Sequence, residues 1–215
     1  MTKIESTDIK VYLSGGADNS DPNASLGGAI SSTELVDNQL HNLFAKVIAA
    51  EALSGSTKYR AIYVKNENGS GLTYEDIKAY IASQTTSEDT SIEIAVATEA
   101  KNTSVQTIAN EDTAPTGQSS WVSLEGVSNG QDMGDLGDGD YRGLWVKRIV
   151  SPGASAYGND SATPGNPSVK TTLEGVNLYT LFSPTANVAS FETAFFIIEL
   201  IRVVTPVISA NPAPC

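Results

Sequence analysis

The stretch Tyr141-Arg142-Gly143-Leu144-Trp145-Val146-Lys147-Arg148-Ile149-Val150 is the clearest strand in the chain. It is rich in β-branched and aromatic residues and follows a turn-forming run, Asp135-Leu136-Gly137-Asp138-Gly139-Asp140. Successive side chains of a strand point to opposite faces, so Leu144 and Val146 share one side. A second stretch, Tyr59-Arg60-Ala61-Ile62-Tyr63-Val64-Lys65-Asn66, has the same build. Tyr-Arg-x-Ile-Tyr-Val-Lys stands against Tyr-Arg-x-Leu-Trp-Val-Lys, and the likeness stops there. A duplicated domain would extend it, so the two are read as central strands of one sandwich whose core holds Ile62, Val64, Leu144 and Val146.

Outward from this pair the chain keeps a β rhythm. Asp8 to Leu13 alternates with Ile9, Val11 and Leu13 on one face, then gives way to the turn formers of Ser14 to Asn23. Asp76 to Ala82, Ser91 to Ala97, Ser168 to Gly175 and, more weakly, Ser120 to Leu124 are further short runs bounded by turn clusters. Leu35, Leu40, Leu43, Phe44, Val47 and Ile48 are spaced as on an amphipathic helix ending near Gly55. The expected fold is therefore mainly β: an immunoglobulin-like antiparallel β-sandwich with one short helix. Its boundaries are an N-terminal arm over 1–8, the sandwich over 9–175, and an apolar, proline-punctuated C-terminal arm over 176–215.

Composition narrows the chemistry. The 215 residues carry 13 Lys+Arg and 25 Asp+Glu, a net charge of −12, which argues against a nucleic-acid binder and against attachment to anionic lipid. A single Cys, Cys215, and a single His, His41, exclude an internal disulfide, a cysteine zinc cluster and any site needing two imidazoles. The chain opens on Met1 to Asp8 without an apolar leader-like core, and Phe191 to Ile208 is interrupted by Glu192, Glu199, Arg202 and Pro206. Neither a secretory signal nor a membrane span is expected.

The acidic run Asp132, Asp135, Asp138 and Asp140, with its interleaved glycines, has the oxygen-rich character that suits Ca²⁺. It lacks the EF-hand spacing and reads as a solvated turn, so no metal, no cofactor and no catalytic residue is assigned. His41 sits in the apolar-periodic segment and Cys215 among prolines, positions that fit structural roles. Trp121 and Trp145 are read as core. Tyr12, Tyr63 and Tyr80, with Arg60, Lys65, Arg142, Lys147 and Arg148, are candidates for one exposed strand face. Arg60, Lys65 and Lys147 from that face, with Phe191, Phe195, Phe196, Ile198 and Ile201 from the tail, are the candidate partner-binding residues.

Two resemblances carry these residues further. Tyr59 to Ile81, with Val64-Lys65-Asn66-x-x-Gly69 between alternating runs, resembles paired strands of immunoglobulin-like adhesion modules, as does the corner from Asp135 to Val146. The opening Ile9-Lys10-Val11-Tyr12-Leu13-Ser14-Gly15-Gly16 through Gly28, followed by Leu40-His41-Asn42-Leu43-Phe44, Tyr59 to Asn66 and Trp145-Val146-Lys147-Arg148, is similar to virion structural proteins of tailed bacteriophages. The likeness runs from Ile9 to Gly175. It implies a non-enzymatic virion protein that decorates or cements the outside of a capsid. The major capsid protein or other virion subunits would be its partners, and copies of this chain would associate in the particle. Neck, tail or baseplate component and host-surface carbohydrate-binding module are the alternatives.

Overall fold

The computed structural model describes residues 4–35, 42–85 and 87–155, and the backbone alone of 160–165, 178–182 and 194–198. Two antiparallel five-stranded sheets account for most of it. The first is built from β1 (Ile9–Ser14), β2 (Ile30–Glu34), β3 (Ser56–Asn66), β5 (Thr90–Val96) and β7 (Tyr141–Val150), in the order β2-β1-β3-β7-β5. The second joins β4 (Tyr74–Ser83), β6 (Gln131–Leu136), β8 (Asp160–Gly165), β9 (Leu178–Phe182) and β10 (Ala194–Ile198), in the order β10-β9-β8-β4-β6. The fold is mainly β, with a single short α-helix among the described residues, α1 (Ala49–Ser54).

The two similar heptapeptides pair with each other. Antiparallel β3 and β7 run in register from Ser56↔Val150 to Lys65↔Tyr141, with Ile62 directly opposite Leu144. These residues hold the fourth place in both heptapeptides, so the repeat meets itself about a local pseudo-dyad at the centre of the sheet. Ile62, Val64, Leu144 and Val146 do share one core. Ile9, Val11 and Leu13 of β1 join it from the same sheet, and Ile77, Ala79, Ile81, Met133 and Leu136 join it from β4 and β6.

The opposite face of the first sheet is also dry. Ala61, Tyr63, Ala95, Ala97 and Trp145 are buried beneath Val105 and Ile108, with Leu26, Ile30 and Trp121 packed around them. The cover is the long excursion between β5 and β6. Its edge is pinned by bridges from Val122 to Ile94 and from Gln118 to Ala97, so the expected strand over Ser120–Leu124 is one rung of pairing rather than a ladder. The outer edge of the second sheet at β6 carries exposed Asp132 and Asp135, charges that discourage further strand pairing.

Several expectations are corrected. The helix expected from Leu35 to near Gly55 is absent from 42–48, which bends without regular structure; it covers only Ala49–Ser54 and ends, as expected, at Gly55. Leu43, Phe44 and Val47 are buried as the spacing implied, but Ile48 is exposed. Arginine side chains, not helical bonds, hold this segment, as the site below shows. Gly55, at φ 77, closes α1 in a conformation that suits glycine, and the chain turns there into β3. Five strands differ from the sequence expectation: Ser and Thr fill β2, and two acids and a glycine fill β6, so neither shows apolar alternation; β8 holds a proline and a glycine; and β9 and β10, in the stretch expected to be a C-terminal arm, pair into the second sheet instead. Ile4, assigned to an N-terminal arm, lies in the main core. Ser168–Gly175 and His41 lie outside the described residues.

Candidate functional site

Strand parity assembles an unusual set of charges on the core side of the first sheet. Lys58, Arg60, Ile62 and Val64 alternate onto one face of β3, and Leu144, Val146 and Arg148 onto the same face of β7. The register sets Lys58 opposite Arg148 and Arg60 opposite Val146, which makes Arg60 and Arg148 diagonal neighbours at the end of the apolar row. Both arginines are fully buried. A buried cation must be paired and hydrogen-bonded, and here the partners come from three other parts of the chain.

Arg60 Nε donates to the Leu43 carbonyl at 3.3 Å and Arg148 Nη1 to the Ala45 carbonyl at 2.7 Å. The Phe44 ring lies between these anchors, its centroid 5.5 Å from the Arg60 guanidinium carbon and 5.2 Å from that of Arg148. Glu51 of α1 pairs with Lys58 and stands 3.6 Å from Arg148 Nη2. Glu111, from the outer-face excursion, pairs with both Lys58 and Arg60, while its backbone carbonyl accepts from Tyr59 N–H at 2.8 Å. Arg60 Nη2 also reaches Asn23 Oδ1 at 3.3 Å. Burial pushes the Arg148 guanidinium down to about 10, with the Glu51 charge opposing, so it stays protonated at neutral pH. Burial raises Glu111, but the Lys58 hydrogen bond and the Arg60 charge outweigh it and hold the carboxyl below its ordinary value.

This cluster overturns the expected single exposed basic face. Arg60 and Arg148 belong to the core face, and Tyr63 is buried on the opposite side. Lys65 and Lys147 do lie on the outer side, half-buried and paired. Lys65 meets Glu67 at 2.5 Å and lies 5.6 Å from the Tyr12 ring centroid. Lys147 pairs with Glu93 and lies 4.7 Å over the Trp121 ring, which also leans on Tyr59 at a centroid distance of 5.7 Å. Trp145 is core, whereas Trp121 is half-buried at the margin of the outer face. Tyr63 Oη donates to the Gly28 carbonyl and accepts from Val105 N–H at 2.8 Å, tying two covering loops to β3.

The acidic run is used up in turns. Asp138 accepts from Gly69 and Gly71 N–H, both at 3.0 Å, and Asp135 from Asp76 N–H at 3.0 Å. Asp140 takes Lys101 and Asn102 at 2.6 Å each. Among the described residues, no group of three or more His, Cys, Asp or Glu side chains is placed to hold a metal ion, and no helix is long and apolar enough to cross a membrane. Of the tail candidates, Phe195, Phe196 and Ile198 lie on β10, whose backbone pairs with β9, and Phe191 and Ile201 lie outside the described residues.

Glu51, Lys58 and Glu111 were missed from sequence. Parity alone could have placed Lys58 and Arg60 with Ile62, but nothing local ties Glu111 to a strand 51 residues away. The chain matches no family model, no curated protein and no solved structure.

Proposed function

We propose that this chain is a non-enzymatic virion structural protein that decorates the outer surface of a tailed-phage capsid through protein–protein contacts. The observation that best supports the reading is how charge is distributed. Lys10, Lys58, Arg60, Lys65, Lys101, Lys147 and Arg148 all have carboxylate partners within the chain. Asp18, Asp21, Glu88, Asp112, Asp132, Asp135 and Asp138 are exposed. An exterior of this kind repels nucleic acid and leaves packaged DNA to other proteins. The proposed partners are the major capsid protein or other virion subunits, with homo-oligomeric association in the particle, and the proposed location is the virion. A neck, tail or baseplate position is the alternative within this class.

A host-surface carbohydrate-binding module is the rival from another class, and one observation bears on it: the half-buried Tyr59–Trp121 pair at the margin of the outer face. Lys147 already occupies one side of that indole, Tyr63 and Trp145 on the same face are buried, and the half-buried Tyr12 and Tyr141 rings are taken up by Lys65 and Tyr63. The assembly reading is therefore preferred. Its test compares the full chain with a truncation ending at Gly175 for incorporation into particles, with occupancy read from a low-resolution map. Full-length density on the outer shell and its loss on truncation are expected. Because β9 and β10 lie beyond Gly175, circular dichroism of the truncated chain accompanies the map: a truncated chain that unfolds, or one that still incorporates at undiminished occupancy, refutes the tail as the docking element, and density absent from the shell refutes the decoration role.

A further inference from the structure

We infer that the two coverings of the first sheet, the 42–54 strap on its core face and the 97–130 excursion on its outer face, are energetically coupled through the cations they share. Lys58 is held by Glu51 from the strap and by Glu111 from the excursion. Arg60 binds Glu111 on one side and the Leu43 carbonyl of the strap on the other. Arg148 completes the circuit from the neighbouring strand, with Glu51 and the Ala45 carbonyl. Glu111 can reach this side of the sheet because β1 pairs with β3 only from Ile62 to Asn66, which leaves the first residues of β3 for the excursion to run beside.

Displacing the excursion withdraws Glu111 and leaves Lys58, Arg60 and Arg148 facing one carboxylate, Glu51. The cations belong to β3 and β7 and the carboxylate Glu51 to the strap, so with the competing Glu111 charge gone the strap's carboxylate and its Leu43 and Ala45 carbonyls face an undivided positive charge and are held more tightly. The converse holds with equal force, because coupling between two binding events is reciprocal. The strap carries Ile48 and Leu53 on its outward side, both exposed. A protein partner that lifts the excursion therefore changes how those apolar groups are presented on the other side of the sheet. The link is electrostatic, through Glu111, Lys58 and Arg60, and does not depend on the virion assignment.

Hydrogen–deuterium exchange on the full chain tests this. Glu111→Gln keeps the shape of the side chain and removes its charge. It should accelerate exchange near residue 111 and slow it over 42–54, by a factor within the usual range of about 5- to 150-fold for coupled sites. Glu51→Gln should accelerate exchange over 42–54 and slow it over 105–113, and in that background Glu111→Gln should lose its effect on 42–54. Amides of β1 and β4 should be unchanged. A change confined to the loop that carries the substitution overturns the coupling, and so does acceleration of both loops together, or of every strand, in either glutamine variant. Should Glu111→Gln not fold, Lys58→Met removes only the shared cation and is read by the same two segments.

Discussion

Replacing Gly143 with alanine probes the second, outer core directly. A Cβ at this position would stand 2.2 Å from Val105 Cγ1 and 3.2 Å from Ala97 Cβ. Carbon atoms rest about 3.5–4.0 Å apart, so the valine methyl must retreat by more than about 1 Å. Val105 is poorly placed to yield. It is buried, its N–H donates to Tyr63 Oη at 2.8 Å, and its carbonyl accepts from Gly28 N–H at 3.0 Å. Overpacking of this kind costs about 1–3 kcal/mol, and the pinned backbone points to the upper half of that range. Val105→Ala alone removes two buried methyl groups, worth about 0.8 kcal/mol each before any cavity term. Combined, the new methyl enters the space the valine vacates, so the double variant should be more stable than the sum of the singles predicts by about 1 kcal/mol or more. Urea unfolding followed by circular dichroism reads all four corners of the cycle, with the slope m unchanged. A Gly143→Ala protein within about 0.5 kcal/mol of the parent, or strictly additive costs, would refute the packing of Val105 on Gly143.

Three further outcomes are expected. Val146→Asp buries an unpaired carboxylate at the centre of the main core and should abolish the cooperative unfolding transition; a variant as stable as the parent would show that Val146 is not in that core. Tyr63→Phe leaves the Val105 N–H without its acceptor and should cost about 1–3 kcal/mol in urea unfolding, whereas a neutral result would mean the two loops are held by packing alone. Because Glu111 titrates lower in the folded chain than in the unfolded one, its contribution to stability is complete above the ordinary carboxylate value and is lost as pH falls through the folded value; the urea midpoint should drop on acidification below about pH 4.5, less steeply in Glu111→Gln, and an identical slope in both proteins would remove Glu111 from the account.

The division between sequence and structure follows the range of the forces involved. Period-two alternation is local, so Ile9 to Leu13, Ile62 with Val64, and Leu144 with Val146 were legible as strands and as core from the chain alone. The Tyr-Arg-x-apolar-aromatic-Val-Lys repeat even marked the two central strands, though only the register showed that the repeats pair with each other. Over Leu43, Phe44 and Val47 the apolar spacing was real but its cause was not helical. Two buried arginines from distant strands supply the hydrogen bonds that a helix would otherwise make for itself. Period-two parity puts residues 60, 62 and 64 on one face whatever their polarity, so Arg60 lies in the core and not on the exposed face that its charge suggests. Tolerance for that buried guanidinium depends on Glu111, Asn23 and the Leu43 carbonyl converging on it. The sequence by itself thus determined which segments extend and which of their residues alternate inward. Only the tertiary structure decided that the first sheet is covered on both faces and that most of its basic residues are spent on internal carboxylates, since the cover and most of those pairs depend on contacts between residues far apart in the chain.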